Sequence, residues 1–453
     1  MNAGSTVAVI LAAGKGTRMK STRPKPLHEV AGRPLLQFAL DLCEEVGLGP
    51  LTLVYDAEFP ELAEAAGEDV RGVVQPRDGY GTGHAVRAAV AKMPEGPEAT
   101  VVLYADTPLL RPATLTYLTK LRERRGAAMA VLSAKVDDPG RYGRIVRGSD
   151  AQVTAIVEAH LATPEEQTID EINTGVMVFD TAWLRENVGK LKPDPEKEEL
   201  LLTDLVALAL AEGRGVECLT LADAEEGMGC DDRAGLAEAE RRLRGRKIVE
   251  LMESGVRIED PAATYVDLDV QIGSDTLVRP GCHLRAATFI GVDCEIGPNA
   301  QIADSVVGDG CKVNAAVVEN SRLEDGADVG PFSHVRAGSV LGQQVHVGTH
   351  SELKNARLGE RTMMGHFGYL GDAELGADVN VGAGAVTCNF DGKDKHRTIV
   401  GDRAFVGSGS MLIAPVEIGA GAYVGAGAVV TRDVAAGEVV YGVPAKARPP
   451  ESE

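Results

Sequence analysis

Two groups of residues have the types and spacing to do chemistry. The first lies between 11 and 33. A glycine-rich segment, LAAGKGTRM at 11–19, is followed by a run of cations: Lys15, Arg18, Lys20, Arg23, Lys25 and Arg33 share residues 14–33 with one acid, Glu29. The whole chain carries 46 Lys and Arg against 67 Asp and Glu, a net charge of −21, so this cluster is out of character with its surroundings. Backbone N–H groups of a glycine turn can face phosphates. Cations gathered there suit a highly anionic small molecule such as a nucleoside triphosphate, although a solvated basic loop would have the same composition. The segment is neither G-x-G-x-x-G nor G-x-x-x-x-G-K-[ST]. The second group is Arg336, Lys354, HFGY at 366–369, Asn380, NFDG at 389–392 and Lys395. Histidine, with an ordinary pKa of about 6.5, suits the removal of a proton from an amine. A lone His366 would more often be structural.

The elements that must hold the first group alternate between short apolar runs and longer helical patterns. Thr6–Leu11, Leu51–Tyr55, Val101–Ala105, Met129–Ser133 and Gly175–Asp180 read as strands, and Pro34–Glu45 as a helix. Near-continuous apolar strands alternating with helices indicate a mostly parallel sheet covered on both faces. Ligands in such sheets bind at the carboxyl ends of the strands, where the loop after Leu11 and Asp106 both fall.

The second group sits in a different pattern. Of 53 glycines, 24 fall in 1–250 and 29 in the shorter 251–453, while aromatics are only 4% of the chain. From 266 a six-residue beat begins, with an aliphatic residue commonly followed by Gly. It runs through Val266, Ile272, Val278, Leu284, Ile290, Ile296 and Ile302, shifts phase, resumes at Val329 and continues to Val424. This is the hexapeptide repeat of a parallel β-helix. Each hexad forms one side of a triangular coil with its aliphatic residue pointing inward, and a core that narrow admits few rings. TCNFDGKDKHRTI at 387–399 breaks the beat and predicts a loop thrown out from the prism. Three-sided prisms also favour closed trimers.

The stretch 233–253, stopped by Gly255, reads as a helix that joins the two parts or as a surface helix of the first. The acidic balance argues against nucleic acid or an anionic membrane as the main partner. No apolar run reaches the roughly 18 residues of a membrane span. The N-terminus lacks the pattern of a signal peptide. Seven dispersed cysteines without C-x-x-C fit a reduced cytoplasm.

LAAGKGTRM with RPKPLH at 23–28 resembles the signature of the sugar-1-phosphate nucleotidyltransferases. QPRDGYGTGHA at 75–85, YADTPLL at 104–110, YGRI at 142–145, IVE at 156–158 and EINTG at 171–175 extend the likeness in order. With the hexapeptide half, residues 6–445 resemble the bifunctional N-acetylglucosamine-1-phosphate uridyltransferase and glucosamine-1-phosphate acetyltransferase family. These enzymes belong to bacterial UDP-N-acetylglucosamine synthesis, which feeds peptidoglycan and lipopolysaccharide.

The resemblance implies a Rossmann-like α/β nucleotidyltransferase domain over 1–230, a linker helix over 231–254 and a left-handed β-helix with a C-terminal tail over 255–453. It implies a cytoplasmic homotrimer that uses UTP, glucosamine-1-phosphate, N-acetylglucosamine-1-phosphate and acetyl-CoA. In the first domain it implies Arg18 and Lys25 as catalytic cations, and Mg²⁺ on Asp106 and Asp231. UTP and the sugar would meet Leu11, Ala12, Ala13, Gly14, Gln75, Gly81, Thr82, Tyr104, Gly143, Glu158 and Asn173. In the second it implies His366 as base, with Arg336, Lys354 and Lys395 on the sugar phosphate and Tyr369, Asn380 and Asn389 on the sugar and the developing oxyanion. Asn389, Phe390, Lys395, Ser408 and Ala426 would also border acetyl-CoA.

Four positions depart from the family pattern. Asp231, in GCDDR at 229–233, stands where the family has Asn, and Asp232 beside it is a second candidate ligand. Phe390 replaces a frequent Tyr, His334 a basic residue, and Gly442 an Arg. Lys446 and Arg448 are candidates for the CoA phosphates. The alternatives are a nucleotidyltransferase whose β-helix only trimerises it, and a non-catalytic regulatory subunit.

Overall fold

A computed structural model describes residues 6–76, 79–194 and 196–447. The chain divides into two compact units, Met1–Arg242 and Leu243–Glu453.

The first unit is built on a nine-stranded sheet. Its strands are β1 (Thr6–Leu11), β2 (Leu51–Tyr55), β3 (Val70–Val74), β4 (Ala99–Tyr104), β5 (Met129–Lys135), β6 (Arg144–Arg147), β7 (Val153–Val157), β8 (Glu171–Asp180) and β9 (Val216–Thr220). The main order is β9-β5-β8-β4-β1-β2-β3, with β6 pairing both β8 and β7. β1 is buried at all six positions, and its alternate side chains serve two apolar cores, Val7 and Val9 in one, Ala8 and Ile10 in the other. A strand covered on both faces has no need of polar alternation, hence the unbroken run TVAVIL. β8 departs from the parallel pattern, running antiparallel to both β4 and β5, and β6 is antiparallel to both β7 and β8.

Register brings the strand ends together. Leu11 pairs with Tyr104 on one side and Val54 on the other. Ala105 donates to the Leu11 carbonyl at 3.1 Å, and Gln75 to the Tyr55 carbonyl at 2.8 Å. Helix α1 (Leu35–Val46) ends at Gly47 in the left-handed region, φ +73°. The other helices used below are α2 (Thr82–Val90) and α3 (Arg233–Glu253). The boundary between the units falls within α3, whose Ile248 and Leu251 belong to the core of the second unit.

The second unit is a parallel coil of the left-handed β-helix kind, with twelve-, ten- and nine-stranded sheets as its three sides. We call them face one (from Arg257–Ile258), face two (from Tyr265–Val266) and face three (from Gln271–Ile272). Every aliphatic residue of the beat points inward and is buried. The phase shift has a simple origin: Val307, Val313, Val318 and Leu323 continue the inward column between Ile302 and Val329. Three of the five sides there are five residues long, and the strand pairing Ile302↔Val318 makes a coil of 16 residues where Val266↔Leu284 makes one of 18. Small hydroxyl residues fasten adjacent coils: Thr276 donates to the Gly291 carbonyl at 2.8 Å and Thr362 to the Gly376 carbonyl at 2.7 Å. Thr387 takes an inward position in place of an aliphatic and pairs its hydroxyl with both Gly371 N–H, at 2.8 Å, and C=O, at 3.0 Å. A buried hydroxyl satisfied in this way costs little.

The interruption after Thr387 is a tight hairpin. Phe390 and Lys395 form an antiparallel bridge. The Asp391 carboxylate accepts from the N–H groups of Lys393, at 2.8 Å, and Asp394, at 2.7 Å, and pairs with His396 at 2.7 Å. These bonds hold its pKa down to about 2.

Candidate active sites of the two units

A cavity of about 630 Å³ opens where the ends of β1, β3 and β4 converge in the first unit. Leu11, Ala12, Ala13, Gly14, Lys15 and Arg18 line it from the glycine loop. Lys25, Gln75, Gly81, Thr82, Tyr104, Asp106 and Asp231 complete the predicted set that reaches it. The basic cluster therefore splits. Lys15, Arg18 and Lys25 face the cavity, whereas Arg23 pairs with Glu29 at 3.0 Å and Arg33 with Asp41 at 2.7 Å.

Lys25 lies between two carboxylates. Its ammonium contacts Asp106 and pairs with Asp231 at 2.8 Å, and Arg18 pairs with the other Asp231 oxygen at 2.9 Å. Burial pulls the Lys25 ammonium down, but Asp106 and Asp231 outweigh it and hold the pKa above its ordinary value. Burial pushes Asp231 up, but Lys25 and Arg18 prevail and hold it below the carboxylate range. Asp232 does something else: its Oδ1 accepts from the N–H groups of Ala234, at 3.0 Å, and Gly235, at 2.9 Å, and so caps α3. Asp106 and Asp231 thus converge on one cation, and Asp232 is occupied by the helix. Two hard oxygen donors aimed at one point suit Mg²⁺, which takes one or two protein carboxylates and completes its shell with water and substrate phosphates.

The loop that carries Gly81 is held from outside the cavity. Gly81 has φ +96°, and a Cβ there would lie 2.4 Å from the Leu200 carbonyl oxygen, so no side chain fits. Leu200 donates to the Tyr80 carbonyl at 2.9 Å and accepts from Gly83 N–H at 2.8 Å. Lys15 stands 5.9 Å over the Tyr80 ring.

Gly143, Glu158 and Asn173 form a second cluster outside that lining. Asn173 N–H donates to the Gly143 carbonyl at 2.8 Å, and a Cβ on Gly143 would lie 3.5 Å from the Glu158 carboxylate. Burial raises the Glu158 pKa, although Thr203 donates to it at 3.1 Å. Tyr104 connects the two clusters. Its ring lies so close over Gly175 that a Cβ there would come within 2.1 Å, at φ +85°. Burial, with Glu158 and then Asp106 nearby, pushes its phenol up. Asp56, Glu58 and Glu199 also line the cavity. The sequence reading missed them, because single acids in an acidic chain carry no signal.

In the second unit the predicted residues border face two. Arg336 and Lys354 end adjacent strands of that face and pair in register. Lys395 hangs in the hairpin that leaves face two for face three. The Lys395 ammonium beside Lys354, with Arg336 nearby, pulls the Lys354 pKa below its ordinary value. Arg336 also pairs with Glu352 at 2.6 Å. Asn389, 7% exposed, donates to Asp372 at 2.6 Å, a partner the sequence did not suggest. His366, Ser408 and Ala426 occupy the opposite edge, each in the turn from face one to face two on its own coil. All three are exposed, and Ser351 fixes the His366 carbonyl with a 2.8 Å hydrogen bond. Tyr369 lies on the face between the two edges. Face two is about four residues wide, roughly 13 Å at 3.3 Å per residue, so His366 and the cations are not in contact within one chain. Asn380 lies on face one, between Met363 and Phe405, and so is not joined to Tyr369. Phe390 is 59% exposed at the hairpin tip. Lys446 is exposed on the last strand, and Arg448 lies outside the described residues.

Comparison with known proteins agrees with this division. Residues 8–171 match the MobA-like NTP transferase domain, 266–364 the GMPPB C-terminal domain, and 397–432 the bacterial transferase hexapeptide of six repeats. The chain is 44% identical to the bifunctional protein GlmU of Trichlorobacter lovleyi, over 95% of this chain and 94% of that one. It is 43% identical to the GlmU of Pelobacter propionicus, over 96% and 95%. With the GlmU of Enterococcus faecalis it shares 41% identity, over 91% and 90%. A nucleotidyltransferase unit and a hexapeptide unit, aligned with these relatives along nearly their whole length, place the chain in the bifunctional GlmU family.

Proposed function

We propose that the two activities divide between the units as follows. The second unit acetylates glucosamine-1-phosphate from acetyl-CoA. The first transfers UMP from UTP to N-acetylglucosamine-1-phosphate, giving UDP-N-acetylglucosamine and pyrophosphate. The observation that carries the reading is the Asp106–Lys25–Asp231–Arg18 array, which lines the same cavity as the glycine loop.

Transfer at the α-phosphorus needs alignment and charge neutralisation more than covalent chemistry. Arg18 and Lys25 meet the negative charge of the triphosphate. Gln75, Gly81 and Thr82 hold the base and ribose, and Gly143, Glu158 and Asn173 hold the sugar. Asp106 and Asp231 would hold Mg²⁺, which supplies further neutralisation of the phosphates when bound. In the second unit His366 accepts the proton of the substrate ammonium; the amine then attacks the thioester carbonyl, the C–S bond breaks, and the departing thiolate takes the second proton lost by the nitrogen to leave as CoA thiol. Arg336, Lys354 and Lys395 bind the sugar phosphate, while Tyr369, Asn380 and Asn389 orient the sugar. Asn389, Phe390, Lys395, Ser408 and Ala426 border acetyl-CoA.

We assign 1–230 to uridylyl transfer, 231–254 to the connecting helix and 255–453 to acetyl transfer in a cytoplasmic homotrimer. The separation of His366 from the cations across face two supports a site completed by a neighbouring copy. Among the described residues, no helix is long and apolar enough to cross a membrane.

Two half-reactions test the division. CoA thiol release with glucosamine-1-phosphate and no UTP should be lost in His366→Ala and kept in Asp106→Asn. Pyrophosphate release from UTP and N-acetylglucosamine-1-phosphate should show the reverse. Loss of both activities in either variant would break the assignment.

A further inference from the structure

His84 belongs to neither cluster, yet it is 2% exposed on α2, one turn from the cavity wall. Its Nδ1 lies 3.4 Å from the Gln75 side-chain nitrogen, which also donates to the Gly81 carbonyl at 3.4 Å. The loop rests on the same ring: a Cβ on Gly79 would come within 2.8 Å of His84 Cδ2 and 2.9 Å of Nε2.

A primary amide has two N–H donors and one carbonyl acceptor. Here the nitrogen donates to Gly81 O and faces His84 Nδ1, which accepts when the ring proton sits on Nε2. With the imidazole proton on Nε2, both amide hydrogens are engaged inside the protein, and Gln75 turns only its oxygen toward a ligand. An outward acceptor matches the N3–H of uracil. It opposes the bare N3 of cytosine, which is itself an acceptor.

We infer that His84 is a positioning residue that locks the orientation of the Gln75 amide, so that the cavity selects a pyrimidine nucleotide with a protonated N3. The inference rests on the uridylyl-transfer reading above. It adds a determinant that does not touch the base.

The test separates the two ring nitrogens. His84→Asn keeps an acceptor near the Nδ1 position, and His84→Gln moves the polar group to the Nε2 position beside Gly79. Pyrophosphate release is followed with UTP and with CTP in the full-length enzyme, with N-acetylglucosamine-1-phosphate saturating. A site built to pair one hydrogen-bond pattern rejects the other strongly, because the mismatch leaves buried groups unpaired. His84→Asn should keep the wild-type UTP-to-CTP ratio of kcat/KM within about threefold. His84→Gln should lower it about tenfold or more through a higher KM for UTP, with kcat at saturating UTP little changed. Unchanged selectivity in His84→Gln, or an equal loss for both nucleotides in both variants, would overturn the role of His84. Failure of the wild type to use UTP would instead overturn the reading on which it rests.

Discussion

The two candidate sites handle positive charge in opposite ways. In the first unit the cations are already matched: Lys25 shares its charge with Asp106 and Asp231, and Arg18 with Asp231. In the second, Arg336, Lys354 and Lys395 crowd one another at the edge of face two, and the Lys354 pKa falls as a result. The difference teaches what each site must accept. A paired array can exchange partners, giving up carboxylates to a metal and cations to a triphosphate. In the crowded array Glu352 offsets Arg336 and Asp372 partly offsets Lys354, and an arriving dianion relieves the repulsion that remains. The first is stable without ligand over a wide pH range, whereas the second is poised at a cost that binding removes.

Breaking the paired array should have the largest effect. Lys25→Met removes the cation between two partly buried carboxylates as well as a phosphate ligand. Uridylyl transfer should fall by about 10²–10³-fold, the scale of losing one charge-stabilising group, with CoA release unchanged. The next comparison is pH. Asp231 is held below the carboxylate range, so its contribution to stability is present above its ordinary value of about 3.9 and is lost as pH falls through the lower folded value. Lys25 is held above the lysine range, so its contribution is present below its ordinary value of about 10.4 and is lost only above that. Lys354 has the opposite sign, and in the free site its charge is lost before pH reaches the ordinary lysine range.

The KM for glucosamine-1-phosphate should therefore climb as pH rises toward the ordinary lysine value of about 10.4, before uridylyl transfer responds. Lys354→Arg, with a guanidinium that stays charged, should flatten that rise. The substrate's own amine titrates equally in both enzymes, so it cannot mimic the difference. A smaller effect should come from Asp231→Asn, which leaves Arg18 without its partner and Lys25 with one carboxylate. The KM for UTP should drop several-fold while the Mg²⁺ concentration for half-maximal rate rises, and calorimetric titration of Mg²⁺ should show the weaker affinity directly. The smallest should be Phe390→Tyr. At an exposed hairpin tip it should shift stability by no more than about 0.5 kcal/mol, and a change in the KM for acetyl-CoA would mark a contact made only with that substrate.

Periodicity made the second unit legible. One inward aliphatic per side is a strong signal, and it weakened where sides of five residues break a search for sixes, between Ile302 and Val329 and again at Leu353–Leu358 and Leu370–Leu375. The site of the first unit was legible as motifs, because the strand ends that bear them are adjacent in the sheet. Asp231 and Asp232 look alike in sequence, and only the start of α3 shows that Asp232 is spent on capping. Asn380 and Tyr369 are assigned to the same sugar, and only the coil shows that residues eleven apart fall on different faces. His84 drew no attention because a buried histidine in a helix is unremarkable until its partner is seen to be an amide that must choose an orientation.

The coil also counts. Each side advances the chain by about a third of a turn, so the length of a segment in the second unit is an angular coordinate. Removing one complete coil, such as the 18 residues between matched positions Val266 and Leu284, would return every later residue to its own face on a prism one step shorter. Removing six would turn everything downstream by a third of a revolution. Every later strand would then be added to the wrong face, and if the six were lost between Lys354 and His366 a corner would divide those two residues. Changes that keep later strands on their faces are whole turns, hairpins like the one at Asp391, or the single-residue shortening of a side seen between Ile302 and Val329.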